Sequence, residues 1–201
     1  MNRLRLIAAL GNPGAQYRSH RHSVGFMVAE ELVRRHGWGP LRTRFSAHAA
    51  EGRLEAVPVL LLLPQTFMNL SGGSVGKAAR FYRVDVGDII AIHDEVELPF
   101  GTIRLKQGGG LGGHNGLRSL EKALGSREFW RVRVGVGRPP HPEMDLADFV
   151  LSPFSEPRAA VEAAVSGAAD LTEQWVAGLA ADGASLTTGQ PPSRTDLDRD
   201  S

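Results

Sequence analysis

Two histidines, two positions apart, raise the question of chemistry in this chain. The stretch SHRHSVG, residues 19–25, sets His20 and His22 on either side of an arginine, with a serine flanking each. Such a pair can be half of a metal site, a general base with a bystander, the histidine of a serine triad, or plain surface. Other segments offer side chains that could work with it. HDEVELP holds His93 and Asp94, GGGLGGHNG holds His114 and Asn115, GNPG holds Asn12, and PQTFMNLSGG holds Asn69.

Each chemistry makes its own demand on spacing. Gly72 to Gly76 fits the G-x-S-x-G pattern, and Asp94 and His114 follow Ser74 in the order of a triad. A nucleophile elbow must turn directly from strand to helix, yet PQTFMNLS intervenes, so Ser74 reads as a residue at a helix N-terminus. The glycines at 108, 110 and 113 match G-x-G-x-x-G but do not follow the first strand, and no Lys-Ser/Thr completes a phosphate loop. Six glycines in nine residues around His114 and Asn115 describe a loop that opens a helix, at whose positive end a backbone or phosphate can approach closely. A metal site on the histidine pair would need a third ligand, which His93-Asp94-Glu95 could supply, but no Glu-x-x-His or related spacing supports it.

A single histidine as general base remains. It needs a partner to set its tautomer, and Asp94 is the best-placed carboxylate. Carboxamides can donate to and accept from one water at once, and can grip a peptide backbone without adding charge. Histidine, aspartate and three asparagines describe attack of an activated water on an acyl group.

These side chains must be positioned by elements far apart in the sequence. Leu4–Leu10, Val57–Leu63 and Asp88–His93 are short apolar runs, the pattern of strands buried on both faces. Thr102–Lys106 and Arg131–Val136 read as further strands, the latter with an arginine face, and Phe45, Ala47 and Ala49 alternate like a half-buried one. Helical stripes run through Val24 to Arg35, Gly73 to Tyr82, and Leu117, Leu120 and Leu124, where Gly125 can end the helix. A last long stripe runs from Val161 through Trp175 to Leu179. The expected class is α/β: one domain over residues 1–185, with a twisted, mostly parallel mixed sheet flanked by helices. Residues 186–201, polar and poor in large apolar side chains, are expected to form a disordered tail. In open sheets of this kind, sites form beyond the carboxyl ends of the strands. GNPG, PQTFMNLSGG and HDEVELP all lie just past apolar strands, so Asn12, Asn69, His93 and Asp94 should converge.

Composition narrows the setting. The chain has 201 residues, is 42% apolar and has no cysteine, which removes disulfides, thiolate nucleophiles and iron–sulfur clusters. VPVLLLLP is too short to span a bilayer, and the N-terminal MNRLRLIAAL reads as a first strand rather than a signal peptide, so a cytoplasmic protein is expected. The net charge of +1 hides an asymmetry. Residues 1–140 carry 20 Lys and Arg against 11 Asp and Glu, and residues 141–201 carry 3 against 11. A basic body suits a polyanionic partner.

Six segments in order make the chain closely resemble the bacterial peptidyl-tRNA hydrolase family. They are LGNPGAQYRSHRHSVGF, PQTFMNLSG, HDEVELPFG, GGGLGGHNGL, FWRVRVGVGRP and DFVLSPF, across roughly residues 4–154. The resemblance implies hydrolysis of the ester between a peptide and the 3′ end of tRNA, with no cofactor or metal and a monomeric enzyme. Residue by residue, it implies His22 as base and Asp94 as its partner. Asn12, Tyr17, Met68, Asn69, His114 and Asn115 would hold substrate and water. Lys106 and Arg133 would clamp the 5′ phosphate of tRNA. A relative serving only as an RNA-binding or scaffold protein is the other expectation on this fold.

The chain departs from the family pattern at a few positions. Ala9 stands where glycine is usual, His20 where threonine is usual, and Val96 and Glu97 where leucine and aspartate are usual. Ser23 replaces an asparagine, removing an amide beside the base and bearing on substrate grip. His20 then reads as an exposed turn residue.

Overall fold

Apolar runs too short for helices alternate with amphipathic stretches, and this alternation builds a single sheet between two helical layers. The computed structural model describes residues 3–188. The elements run β1 (Arg5–Ala9), α1 (Val24–His36), β2 (Arg42–Arg44), β3 (Ala47–Leu54), β4 (Val57–Pro64), α2 (Ser71–Tyr82), β5 (Ile89–Glu95) and β6 (Thr102–Gln107). They continue with α3 (Asn115–Leu124), β7 (Trp130–Gly135), α4 (Leu146–Val150), α5 (Arg158–Val176) and β8 (Ser185–Thr187). The strand order is β2-β3-β4-β1-β5-β7-β6-β8. The four central strands pair in parallel, and antiparallel hairpin-like pairs extend both edges.

Strand alternation sorts the core into two faces. Ile7, Leu61, Ile90, Ile92, Val132 and Val134 point to one side, where Val28 and Leu32 of α1 and Leu171 and Trp175 of α5 cover them. Leu6, Leu60, Leu62 and Ile89 point to the other, under Val75 and Ala78 of α2 and Leu117 and Leu120 of α3. Both faces are buried, which is why β1, β4 and β5 read as continuous apolar runs. Each fully buried large aliphatic side chain contributes about 1.5–3 kcal/mol by leaving water.

Gly25 decides how closely α1 approaches the sheet. A Cβ there would lie 2.4 Å from the Leu10 carbonyl oxygen and 2.6 Å from that of Ile92. Only glycine lets the first turn of α1 touch the ends of β1 and β5, and this brings the preceding turn, Arg21–Ser23, over the end of β5. Gly125 takes a left-handed φ of 69° and closes α3 as expected, its N–H donating to the Glu121 carbonyl at 2.9 Å.

Several expectations shift. Leu186 and Thr187 do not belong to a tail: they lie in β8, which pairs with β6, and Leu186 packs on the core. β8 covers what would otherwise be the open edge of β6. The rest of the expected tail, 189–201, lies outside the described residues. The last helix stops at Val176. Gly178 turns left-handed two residues later, leaving Leu179 outside the stripe and 79% exposed. Arg131 does not contribute to an exposed arginine face, because it is buried. No helix among the described residues is long and apolar enough to cross a membrane.

Candidate active site

The ends of β1, β4 and β5 do converge. With the Arg21–Ser23 turn and the loop before α3 they enclose a cleft of about 660 Å³. Asn12, Tyr17, His22, Met68, Asn69, Asp94, His114 and Asn115 all line it. Lys106 and Arg133 do not.

Asp94, the penultimate residue of β5, is the hinge of the polar side. Its Oδ1 accepts from His22 Nδ1–H at 2.9 Å and from His114 Nε2–H at 2.9 Å. Burial alone would raise this carboxyl. Its interaction with His114, followed by that with His22, outweighs this and holds it well below the usual carboxylate range. Asp94 is therefore ionised and orients both rings. With Nδ1–H committed to Asp94, His22 keeps a lone pair on Nε2 for the cleft.

His114 also starts α3. Its Nδ1 accepts from the Gly116 N–H at 3.1 Å and the Leu117 N–H at 3.4 Å, the work of an N-cap. That fixes its tautomer with the proton on Nε2. His22, Asp94 and His114 place three ligand atoms within 4.8 Å of one another. However, His114 Nε2 would have to lose its proton to hold an ion while Nδ1 serves the helix, so the donor set does not fit a divalent metal.

The asparagines divide their tasks. Asn12 Oδ1 accepts from the Met68 N–H at 2.9 Å, which fixes the amide orientation and leaves its NH2 group for the cleft. Asn69 and Asn115 are exposed at the mouth. Met68 packs on the first turn of α3, where a Cβ at Gly116 would meet its Sδ at 2.5 Å. Tyr17 stands edge-on to His20, ring centres 5.5 Å apart.

Two expectations about the opening histidine stretch are corrected. Ser23 does not face substrate. It is buried, and its hydroxyl accepts from the Asn12 N–H at 3.3 Å, tying the turn of the base to the end of β1. His20 is not fully exposed: its backbone bridges to Pro153 and its Nδ1 is buried. His20 does not line the cleft. Ser74 lies inside α2, 1% exposed, with no elbow around it.

Lys106 and Arg133 sit outside the cleft, on the sheet face that α2 and α3 cover. Arg133 Nε donates to Glu95 Oε2 at 3.0 Å, leaving its terminal nitrogens unengaged by any other described side chain. Glu95 also lines the cleft. Lys106 lies against the glycine loop: a Cβ at Gly109 would stand 2.9 Å from its Cε.

Two features escaped the sequence. Arg131 donates to the carbonyls of Gly108 and Gly110 and so holds the loop that delivers His114. Its only signal was an arginine inside an apolar alternation. His93, expected to meet the other strand-end residues, does line the cleft; it is buried, with Nδ1–H on the Asp94 carbonyl at 2.7 Å, and burial holds it neutral. The second feature is an apolar wall of Leu146, Val150 and Leu151 that lines the cleft together with Asp145. Asp145 caps the short helix that carries it.

A family model described as Peptidyl-tRNA hydrolase matches residues 6–192. A peptidyl-tRNA hydrolase of Rhodococcus opacus is 55% identical over 156 residues, covering 75% of this chain and 79% of its own. One of Frankia casuarinae is 50% identical over 173 residues, covering 86% and 87%. The crystal structure of the Acinetobacter baumannii peptidyl-tRNA hydrolase superposes with a TM-score of 0.77 at 38% identity, covering 89% of each chain. A cleft built where the strand ends meet, and likeness over most of the chain in both sequence and fold, lead to one assignment: the chain belongs to the peptidyl-tRNA hydrolase family.

Proposed function

We propose that the cleft hydrolyses the ester joining a peptide to the 3′ end of tRNA, with His22 as general base. The observation that carries this reading is the 2.9 Å bond from His22 Nδ1 to the buried, ionised Asp94. His22 Nε2 takes a proton from a water held at the cleft. The resulting hydroxide adds to the ester carbonyl, and the same nitrogen returns the proton to the departing 3′ oxygen. Asp94 offsets the charge of the transient imidazolium. The free NH2 of Asn12, with those of Asn69 and Asn115, can donate to the tetrahedral oxyanion or grip the peptide backbone.

The ester is more labile than an amide, so no covalent intermediate is required. Lys106 and the open fork of Arg133 fit a phosphate outside the cleft, which positions tRNA without reading its sequence. The reading takes the enzyme as a cytoplasmic monomer needing neither cofactor nor metal.

The test is release of N-acyl-aminoacyl groups from tRNA in the presence of chelator, comparing the parent with His22→Ala. The variant should be slower by roughly 10²–10⁴, the range of a lost general base. An active His22→Ala, or a chelator-sensitive parent, would overturn the mechanism.

A further inference from the structure

The turn that carries the base also carries an arginine the reaction does not use. Arg21 is 4% exposed. Its Nη1 donates to the Pro153 carbonyl at 2.5 Å and to Ser152 Oγ at 2.9 Å. Its Nη2 donates to Ser155 Oγ at 3.0 Å and to Glu156 Oε2 at 3.3 Å. The guanidinium lies over the ring of Phe149 at 4.3 Å and near that of Phe154 at 5.4 Å. Every one of these partners follows or belongs to α4.

α4 is the apolar wall of the cleft. Leu146, Ala147, Val150 and Leu151 line it and bring no side-chain donor or acceptor. Behind them is only a small cluster of Val136, Phe149 and Val150 with Val96 and Phe154. The base is held through Asp94 and through Ser23 on Asn12. Backbone bonds from the Arg21 N–H to Ser152 and from the Phe154 N–H to Ser19 also join its turn to the segment after α4, and these do not involve the guanidinium. Loosening the Arg21 side chain would leave those bonds and the base in place and release the side-chain ties that fix the wall from Phe149 to Glu156.

We propose that Arg21 is a positioning residue that holds this wall against the cleft and thereby sets a preference for large apolar side chains on the acyl residue of the substrate. The proposal rests on the peptidyl-tRNA reading above. A planar fork is required, because one ammonium cannot reach Ser152 and Pro153 on one side and Ser155 and Glu156 on the other while stacking on Phe149.

The experiment is hydrolysis of N-acetyl-leucyl and N-acetyl-glycyl esters, both carried on one tRNA body, by the full chain and by Arg21→Lys. The parent should favour the leucyl ester by about tenfold or more in kcat/KM, the range an apolar pocket gives. Arg21→Lys should bring that ratio to within about twofold, through the leucyl KM, with kcat on the glycyl ester nearly unchanged. A variant that slows both esters alike, an unchanged ratio, or a parent without preference overturns the proposal. If Arg21→Lys fails to fold, Ser155→Ala/Glu156→Gln cuts only the Nη2 contacts. It should move the ratio in the same direction, and no movement overturns the proposal. A parent inactive on both esters would instead overturn the functional reading itself.

Discussion

Replacing Asp94 with asparagine removes one charge and almost no volume. His114 keeps its tautomer, because Gly116 and Leu117 N–H still point at its Nδ1. It therefore still offers Nε2–H, which turns the new amide oxygen toward both histidines, and the geometry of the couple survives. What is lost is attraction between the carboxylate and the imidazolium that forms on His22. With their nearest atoms 2.9 Å apart, the charge centres lie ~4 Å apart, which at an effective dielectric of ~20 gives about 4 kcal/mol. That is a loss of about a thousandfold in rate. The assay is single-turnover hydrolysis of N-acetyl-aminoacyl-tRNA by the parent, Asp94→Asn, His22→Ala and the double variant. If Asp94 acts through His22, Asp94→Asn should cost nothing further once His22 is gone. An Asp94→Asn rate within about tenfold of the parent, or effects that simply add, would refute the couple.

Further outcomes follow from the buried and clamp residues. His93 is held neutral in the fold and titrates from 6.5 once exposed, so unfolding takes up a proton below that pH. Stability should be full above pH 6.5 and fall as pH drops below it, by about 1.4 kcal/mol per pH unit, and urea melts of His93→Gln should lack this slope. Lys106→Ala should weaken tRNA binding and flatten its salt dependence while sparing small esters, as read in filter binding across a salt series. Arg133→Ala should do the same and also lower the melting temperature, because Glu95 Oε2 loses its partner while Oε1 keeps only the Glu97 N–H. Truncation after Thr188 should leave activity intact. Truncation after Ala184 should cost about 1–2 kcal/mol in urea melts by taking Leu186 off the core.

What could be read from the sequence was whatever repeats or punctuates. β1, β4 and β5 announced themselves because both faces of a central strand are apolar, and α3 because Gly125 ends its stripe. Their carboxyl ends predicted that Asn12, Asn69, His93 and Asp94 would meet, and all four line one cleft. α4 was not legible, since five residues carry too little period to show. β8 looked like tail because Leu186 is its single large apolar residue. Arg21 and Arg131 looked like charges for a partner. Their burial depends on carbonyls, hydroxyls and a carboxylate 21 to 135 positions away, which no local pattern reports.

His114 faces two ways. One nitrogen starts a helix that closes half the core, and the other steadies Asp94. The two duties fall under different selection. A descendant of this chain that abandoned hydrolysis for RNA binding would be free to lose His22, whose ring serves only the cleft. It would still need His114, or another cap, to begin α3. A histidine retained at 114 therefore weighs less as evidence of activity than one at 22, because α3 uses it whether or not the cleft hydrolyses anything. Anyone screening distant relatives for working enzymes should weigh the two positions accordingly.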